Sequence, residues 1–428
     1  MKDIYEQVKR GCGIDIDSLK LWASTFVTSK KGTIEWETKV FDNTVDGIEE
    51  LIEWLKEKKT THVAFESTGC YWQMLYSFLE DSFEVIVANP RQTKPLKGKK
   101  RDPDDAKQIA RLLQMGSIIP SFIPPRNVRE LRDLTRQHVN ITEDIVRVKN
   151  RITKTLREAS ITLDAHLSDL FGVSGRAMIQ GLIAGMPGDE IAELAKRRLR
   201  SKIPQIKDSL RFPLSDHYRR ILFRYWKQFT FLEEELESLE KDLDEKMKPF
   251  LAVIKRLQTI PGCGMKAARG IISEIGNDMS RFPKDKNLCS WAKVCPGNNS
   301  SGGKRKSGRN SKGNRYLRRY LGEVAWAAVR TKGSEFRDQY LKKQSRLGKK
   351  KAIVAIMHKI LRIIYHMLSK GEDYQTNYER EKRKDPRKAL IGFKLKNISN
   401  EDLISELLSR GMSDIKWDWD SEENAVSQ

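Results

Sequence analysis

Between residues 12 and 115 the apolar positions change period several times. CGIDI at 12–16 is a short run with alternation. LWASTFVTS and TIEWETKVF follow as β-rich segments, and Lys30, Lys31 and Gly32 between them are a hairpin signal. From Val45 to Lys59 the spacing becomes helical, with Ile48, Leu51, Ile52 and Leu55 on one face. THVAFE predicts another strand, CYWQMLYSFLE a helix and FEVIVAN a strand. Pro103 to Met115 is helical again, with Ala106, Ile109, Leu112 and Leu113 together.

The resulting order, β-β-β-α-β-α-β-α, predicts a mixed sheet flanked by helices. A ribonuclease H-like fold has this order, and it places acids at the ends of neighbouring strands and on a nearby helix. Beyond residue 126 the pattern changes. Leu131, Leu134, His138, Ile141, Ile145, Val148, Ile152, Leu156 and Ala159 step by three and four. Leu222 to Leu257 does the same, with Glu233, Glu234, Glu235, Glu237 and Glu240 on the polar face. These predict two long coiled-coil helices. They fit an antiparallel hairpin with a small helical tip at 164–212, and equally a pairing between chains. The expected fold class is α/β plus all-α. The expected domains are 1–125 (the mixed sheet), 126–257 (the coiled coil with its insert), 258–370 (helical, with helices near Tyr316–Thr331 and Ala352–Ser369) and a polar tail, 371–428.

Charge narrows the function. Lys and Arg number 80 against 58 Asp and Glu, for a net charge of +22 over 428 residues. Such an excess suits a polyanion, because bound Lys and Arg release counterions from phosphates. A membrane surface is also anionic, but no apolar run approaches the ~20 residues of a spanning helix. The stretch Ile353–Leu368 is interrupted by His358, Lys359, Arg362 and His366. MKDIYEQVKR lacks a signal-peptide core. The expected location is cytoplasmic, at the nucleoid. Five cysteines without a CxxC read as buried thiols in a reducing compartment.

Four acids are spaced like a metal-binding nuclease site: Asp15 in GIDID, Glu66 in FESTG, and Asp102 and Asp105 in RDPDDA. Oxygen ligands suit Mg²⁺ or Mn²⁺ at a phosphate. Asp17, two residues on in the same strand, shares the face of Asp15, so the two acids are expected to point the same way. Asp102 before Pro103 is equally good helix-start chemistry. Farther on lies PGNNSSGGKRKSGRNSKGNRYLRRYL. Ser301 stands before Gly302, and eight basic residues follow: Lys304, Arg305, Lys306, Arg309, Lys312, Arg315, Arg318 and Arg319. Two readings fit this loop: a basic contact to phosphate backbone, or a nucleophilic serine among cations that stabilise a phosphorane. IPGCG at 260–264 fits a tight turn, or a helix-hairpin-helix whose N–H groups hold a phosphate.

Taken together, GIDID, FESTGCYW, DPDDA, IPGCG, CPGNNSSGG and KGNRYLRR resemble, in order, the DEDD transposases of insertion sequences, which are related to the Piv site-specific invertases. The resemblance covers roughly residues 11–330. It implies a domain like the RuvC Holliday-junction resolvase followed by a C-terminal transposase domain carrying a serine. It implies Asp15, Glu66, Asp102 and Asp105 as the metal-binding tetrad and Ser301 as the nucleophile. Asp104 and Ser300 stand beside two of these positions. The implied partners are donor and target DNA and a noncoding guide RNA, the bridge RNA. An oligomer, dimer or tetramer, is also expected, because exchanging two strands needs several nucleophiles. The rival readings are a metal-dependent junction resolvase or nuclease in which water attacks, and a non-catalytic nucleic-acid-binding coiled-coil protein.

Overall fold

The computed structural model describes residues 8–67, 69, 71–89, 102–295, 299–301, 304–307 and 313–376, with the backbone alone for Asp102, 299–301 and 304–307. The polar tail from 377 onward lies outside the described residues. The chain divides into two compact units, Met1–Arg129 and Glu130–Gln428.

Unit 1 follows the element order expected of it. Strands β1 (Arg10–Ile16), β2 (Lys20–Thr28) and β3 (Ile34–Asp42) form a meander, and Gly32, at φ +84°, supplies the left-handed turn between the last two. Helix α1 (Val45–Glu57) leads to β4 (His62–Glu66), and α2 (Tyr71–Leu79) leads to β5 (Glu84–Ala88). The sheet order is β3-β2-β1-β4-β5. The meander pairs are antiparallel, while β1-β4 and β4-β5 are parallel. Strand alternation separates two cores. Cys12, Ile14, Ile16, Val63, Phe65 and Val87 pack on one face with Leu51 and Leu55 of α1 and Leu75 and Leu79 of α2. Phe26, Ala64 and Ala88 pack on the other with Ile109, Ala110 and Leu113 of α3 (Asp102–Gln114).

Unit 2 is helical. Helix α4 (Arg126–Glu158) begins at the end of unit 1 and runs for 33 residues. Its partner α9 (Asp216–Lys246) lies antiparallel to it: Lys246 pairs with Glu130 at 2.7 Å, and His138 with Glu240 at 3.0 Å. Between them in sequence come α5 (Leu163–His166), α6 (Val173–Ala184), α7 (Gly188–Glu193) and α8 (Ile203–Ser209). They form the expected helical tip, in which Met178, Ile179, Leu182, Ile191 and Ile206 share a core with Ile152, Leu156, Leu222 and Phe229. The second heptad stretch does not run unbroken to Leu257. Helix α9 ends at Lys246, a 3-10 turn covers Lys248–Phe250, and α10 takes over at Leu251–Gln258. Pro249 is the cause, since it brings no N–H and its ring opposes the preceding turn.

The remainder comprises α11 (Met265–Ile275), α12 (Asp285–Trp291), the short antiparallel pair β6 (Asn299–Ser301) and β7 (Lys304–Ser307), and helices α13 (Arg315–Arg330), α14 (Glu335–Leu347) and α15 (Lys349–Lys370). Contrary to the sequence reading, α15 is long and apolar enough by length and composition to cross a membrane. Its Ile356, Ile360, Leu361 and Ile364 are buried within unit 2, as in a core helix.

Candidate functional site

The acids of unit 1 are organised by the sheet. Asp15 is half-buried near the end of β1, opposite Trp22 of β2. The β1-β4 register pairs Ile14 with Phe65, so the next step along these parallel strands sets Asp15 beside Glu66. Glu66 in turn pairs with Ala88 of β5. Alternation puts Asp15 on the face of Gly11 and Gly13, and Glu66 on the face of Ala64. That is the face covered by α3. A side chain on Gly13 would lie 2.2 Å from the Ala110 nitrogen and 2.5 Å from the Ala106 oxygen, while one on Gly11 would meet Leu113 at 2.9 Å. Going from Gly11 to Gly13 thus means going back along α3 from Leu113 to Ala106. One further turn reaches Asp102, on the side of the strand end that carries Asp15.

This geometry sorts the neighbouring acids. Asp105 is half-buried and Asp104 is exposed. Asp17 does not share the strand of Asp15. It lies past the end of β1, exposed, and its N–H donates to the Lys20 carbonyl at 3.0 Å to close the β1-β2 turn. The donor set is all carboxylate, which suits a hard divalent cation. Among the described residues no group of three or more His, Cys, Asp or Glu is close enough to hold an ion. The side chain of Asp102 is not among them.

The serine belongs to unit 2. Ser301 ends β6 and pairs with Lys304, the first residue of β7, and Ser300 pairs with Arg305. Lys304, Arg305 and Lys306 lie on β7, and Arg309 and Lys312 fall outside the described residues. Arg315, Arg318 and Arg319 open α13, where Arg319 reaches Glu143 of α4 at 2.5 Å. The segment has a closed neck. A side chain on Gly313 would lie 2.5 Å from the Ala292 oxygen and 2.7 Å from the Lys293 Cβ, so its two ends touch. Asn314 caps α13 by accepting from the N–H groups of Tyr316 and Leu317, both at 3.0 Å.

Under this neck lies a residue that the sequence reading missed. Glu274 of α11 is buried, with its side chain 1% exposed. Arg136 donates to it bidentately at 2.8 and 2.9 Å, and the Asn314 amide donates to it at 2.5 Å. Arg132 stands 3.3 Å from the same carboxylate and donates to the Glu274 carbonyl at 2.5 Å. An acid within the apolar run GIISEIG was the available signal.

The IPGCG turn joins α10 to α11. Its Gly262, at φ +82°, packs so close to α13 that a side chain would meet the Ala328 nitrogen at 2.5 Å. Cys12, Cys263 and Cys289 are buried thiols, as expected, and burial pushes Cys263 and Cys289 up to about 12. Such thiols are poor nucleophiles at neutral pH. A second basic surface, also missed, surrounds the α14-α15 turn. There Lys342, Arg346, Lys349, Lys350 and Lys351 are exposed within ten residues.

Comparison with known proteins places this chain, with an acid-bearing sheet in one unit and a basic hairpin in a second, helical unit, among the DNA transposases. A transposase profile of the DEDD type matches residues 12–161, and one described as "Transposase IS116/IS110/IS902 family" matches residues 254–341. The chain belongs to this IS110 family of transposases. A Pseudomonas aeruginosa protein named "Probable family 20 transposase" is 25% identical over 326 residues, covering 73% of this chain and 85% of its own length.

Proposed function

We propose that this transposase excises and inserts a mobile element by attack of Ser301 on DNA phosphodiesters, with Asp15, Glu66, Asp102 and Asp105 as a metal-binding tetrad in a RuvC-like domain. The observation that carries the reading is the shared face: Asp15 and Glu66 side by side at strand ends, under the helix whose first turn holds Asp102 and Asp105. Mg²⁺ or Mn²⁺ bound there would neutralise and orient the phosphate. The chain's own residues do the rest. The Ser301 oxygen forms a bond to phosphorus as it loses its proton, and the bridging oxygen of the cut strand departs and takes one up. Lys304, Arg305 and Lys306, across the hairpin, supply positive charge for the phosphorane. The α10-α11 turn acts as a helix-hairpin-helix-like contact to backbone phosphate.

A noncoding guide RNA, a cytoplasmic location at the nucleoid and a dimeric or tetrameric assembly belong to the same reading. They are supported by the family and the positive charge. The test is direct. Asp15→Asn and Glu66→Gln should each abolish strand cleavage while the fold is kept, and chelation by EDTA should do the same to the unmodified protein. A protein–DNA adduct that survives denaturation should vanish with Ser301→Ala and persist with Ser300→Ala. The reverse pattern makes Ser300 the nucleophile. Cleavage with no adduct in any variant makes water the nucleophile and overturns the proposal. Full recombination by nuclease-treated protein excludes the RNA.

A further inference from the structure

We infer that Asn314 and Glu274 form a clamp that positions the serine segment for attack, with Asn314 acting as a positioning residue beyond its role as a helix cap. The inference rests on Ser301 as the nucleophile. Its own basis is the base of the segment, where three independent interactions converge.

The first is the neck. Gly313 lies against Ala292 and Lys293 with no room for a side chain, and Lys293 itself is held in the left-handed region at φ +54°. The second is the cap: Asn314 Oδ1 accepts from Tyr316 and Leu317, fixing where α13 begins. The third goes beyond capping. The other end of the same amide donates to Glu274 Oε2 at 2.5 Å. An N-cap needs only the oxygen. The nitrogen is free to serve another purpose, and here it ties the chain to a buried carboxylate.

That carboxylate is itself rigid. Arg136 holds both its oxygens, and the Arg136 guanidinium also stacks over Tyr316 at 4.8 Å. Thr135 donates to Ser273, the residue before it, at 2.9 Å. The Tyr316 hydroxyl reaches Asn140 at 3.3 Å. Residues 132, 136, 140 and 143 of α4 thus form one stripe that grips α11 and the start of α13. Bidentate Arg–carboxylate geometry fixes direction as well as distance. Asn314 is therefore anchored to a point that cannot drift, and the strands carrying Ser301 hang between that point and Ala292.

Capping and clamping separate cleanly by substitution. Asn, Asp and Ser cap helices about equally well. Asn314→Ser keeps an acceptor for α13 but has no group that reaches Glu274. Asn314→Asp keeps the cap and turns a carboxylate toward a carboxylate. We expect adduct formation to fall about tenfold in Asn314→Ser and further in Asn314→Asp. The dissociation constant for duplex DNA should stay near that of the unmodified protein in both variants, as should the melting temperature of Asn314→Ser. The facing carboxylates should lower the melting temperature of Asn314→Asp, so that Asn314→Ser separates the clamp from the fold. If both variants form adduct at the normal rate, Asn314 is only a cap and the inference fails. It fails equally if the loss in Asn314→Ser tracks lost folding or lost DNA binding. Strand cleavage is scored alongside the adduct and with Ser301→Ala as control. If that control still forms adduct, the nucleophile assignment is what fails, and the clamp is then judged on cleavage alone.

Discussion

Gly13 sets how closely α3 approaches the sheet. With no side chain there, the backbone of Ala106 and Ala110 rests directly on β1. The helix carrying Asp102 and Asp105 is thereby held near the strand carrying Asp15. Gly13→Ala places a methyl 2.2 Å from the Ala110 nitrogen, and backbone cannot swing aside as a flexible side chain would. Overpacking of this kind costs about 1–3 kcal/mol. We expect a lowered melting temperature by calorimetry and a larger proportional loss of strand cleavage, since the acids part before the unit unfolds. An unchanged cleavage rate in a destabilised protein would separate Gly13 from the site. Single residues were unequally legible in the sequence. Asp15, Glu66 and the Asp102–Asp105 pair sit at element ends, and an element end is visible in a local pattern. Glu274 was not legible, because its partners Arg136 and Asn314 lie 138 and 40 residues away. Asp17 was assigned to the strand because alternation continues on paper, whereas the chain turns at that point to make the Asp17–Lys20 bond.

Among the elements, the strands of unit 1 were readable as short apolar runs between turn signals, since β1, β2 and β4 are buried on both faces, and its helices because each buries one face and so keeps a clear period. The helix broken at Pro249 was misread for the same reason. Apolar residues on either side of the break, Leu243, Met247, Phe250 and Ile254, all remain buried, so their spacing conceals the change of axis. The α14-α15 turn was missed because a charge run has no period. Lys349, Lys350 and Lys351 occupy the first turn of α15, where the helix dipole favours acids. They oppose local stability, and we expect their use to lie in binding. Changing Lys349 and Lys350 to Glu should raise the melting temperature slightly, by about 0.3–1 kcal/mol of stability per site. The same change should weaken DNA binding. The slope of log affinity against log salt should become shallower by about 1 for each phosphate no longer neutralised. Fluorescence anisotropy over a salt series measures this, and an unchanged slope would exclude the turn from the DNA interface.

For the whole molecule, heptad spacing left open whether α4 and α9 pair within a chain or between chains. The ion pairs of Glu130 with Lys246 and of His138 with Glu240, and the shared core at the tip, show an intramolecular hairpin. Any assembly must then use other surfaces. Phe212, Phe223 and Phe231 are 66%, 53% and 57% exposed, on and just before α9, which is unusual for three large aromatics. An oligomer whose active sites join the acids of one chain to the serine of another predicts complementation. Asp15→Asn protein and Ser301→Ala protein, each inactive alone, should regain partial recombination when mixed. If the two form mixed oligomers on DNA and stay inactive at every ratio, each chain uses its own acids and its own serine.

The closed neck at Gly313 has a consequence for descent. Ala292, Lys293, Gly313, Asn314 and Glu274 close the base from outside the hairpin. Loop-closure cost rises only slowly with length. The hairpin between 299 and 307 can therefore lengthen, shorten or change its charges while the neck beneath keeps its packing, whereas Val294, 1% exposed, belongs to the scaffold. Selection can reshape the chemistry of this stretch as an exchangeable cassette, in a lineage whose scaffold stays still.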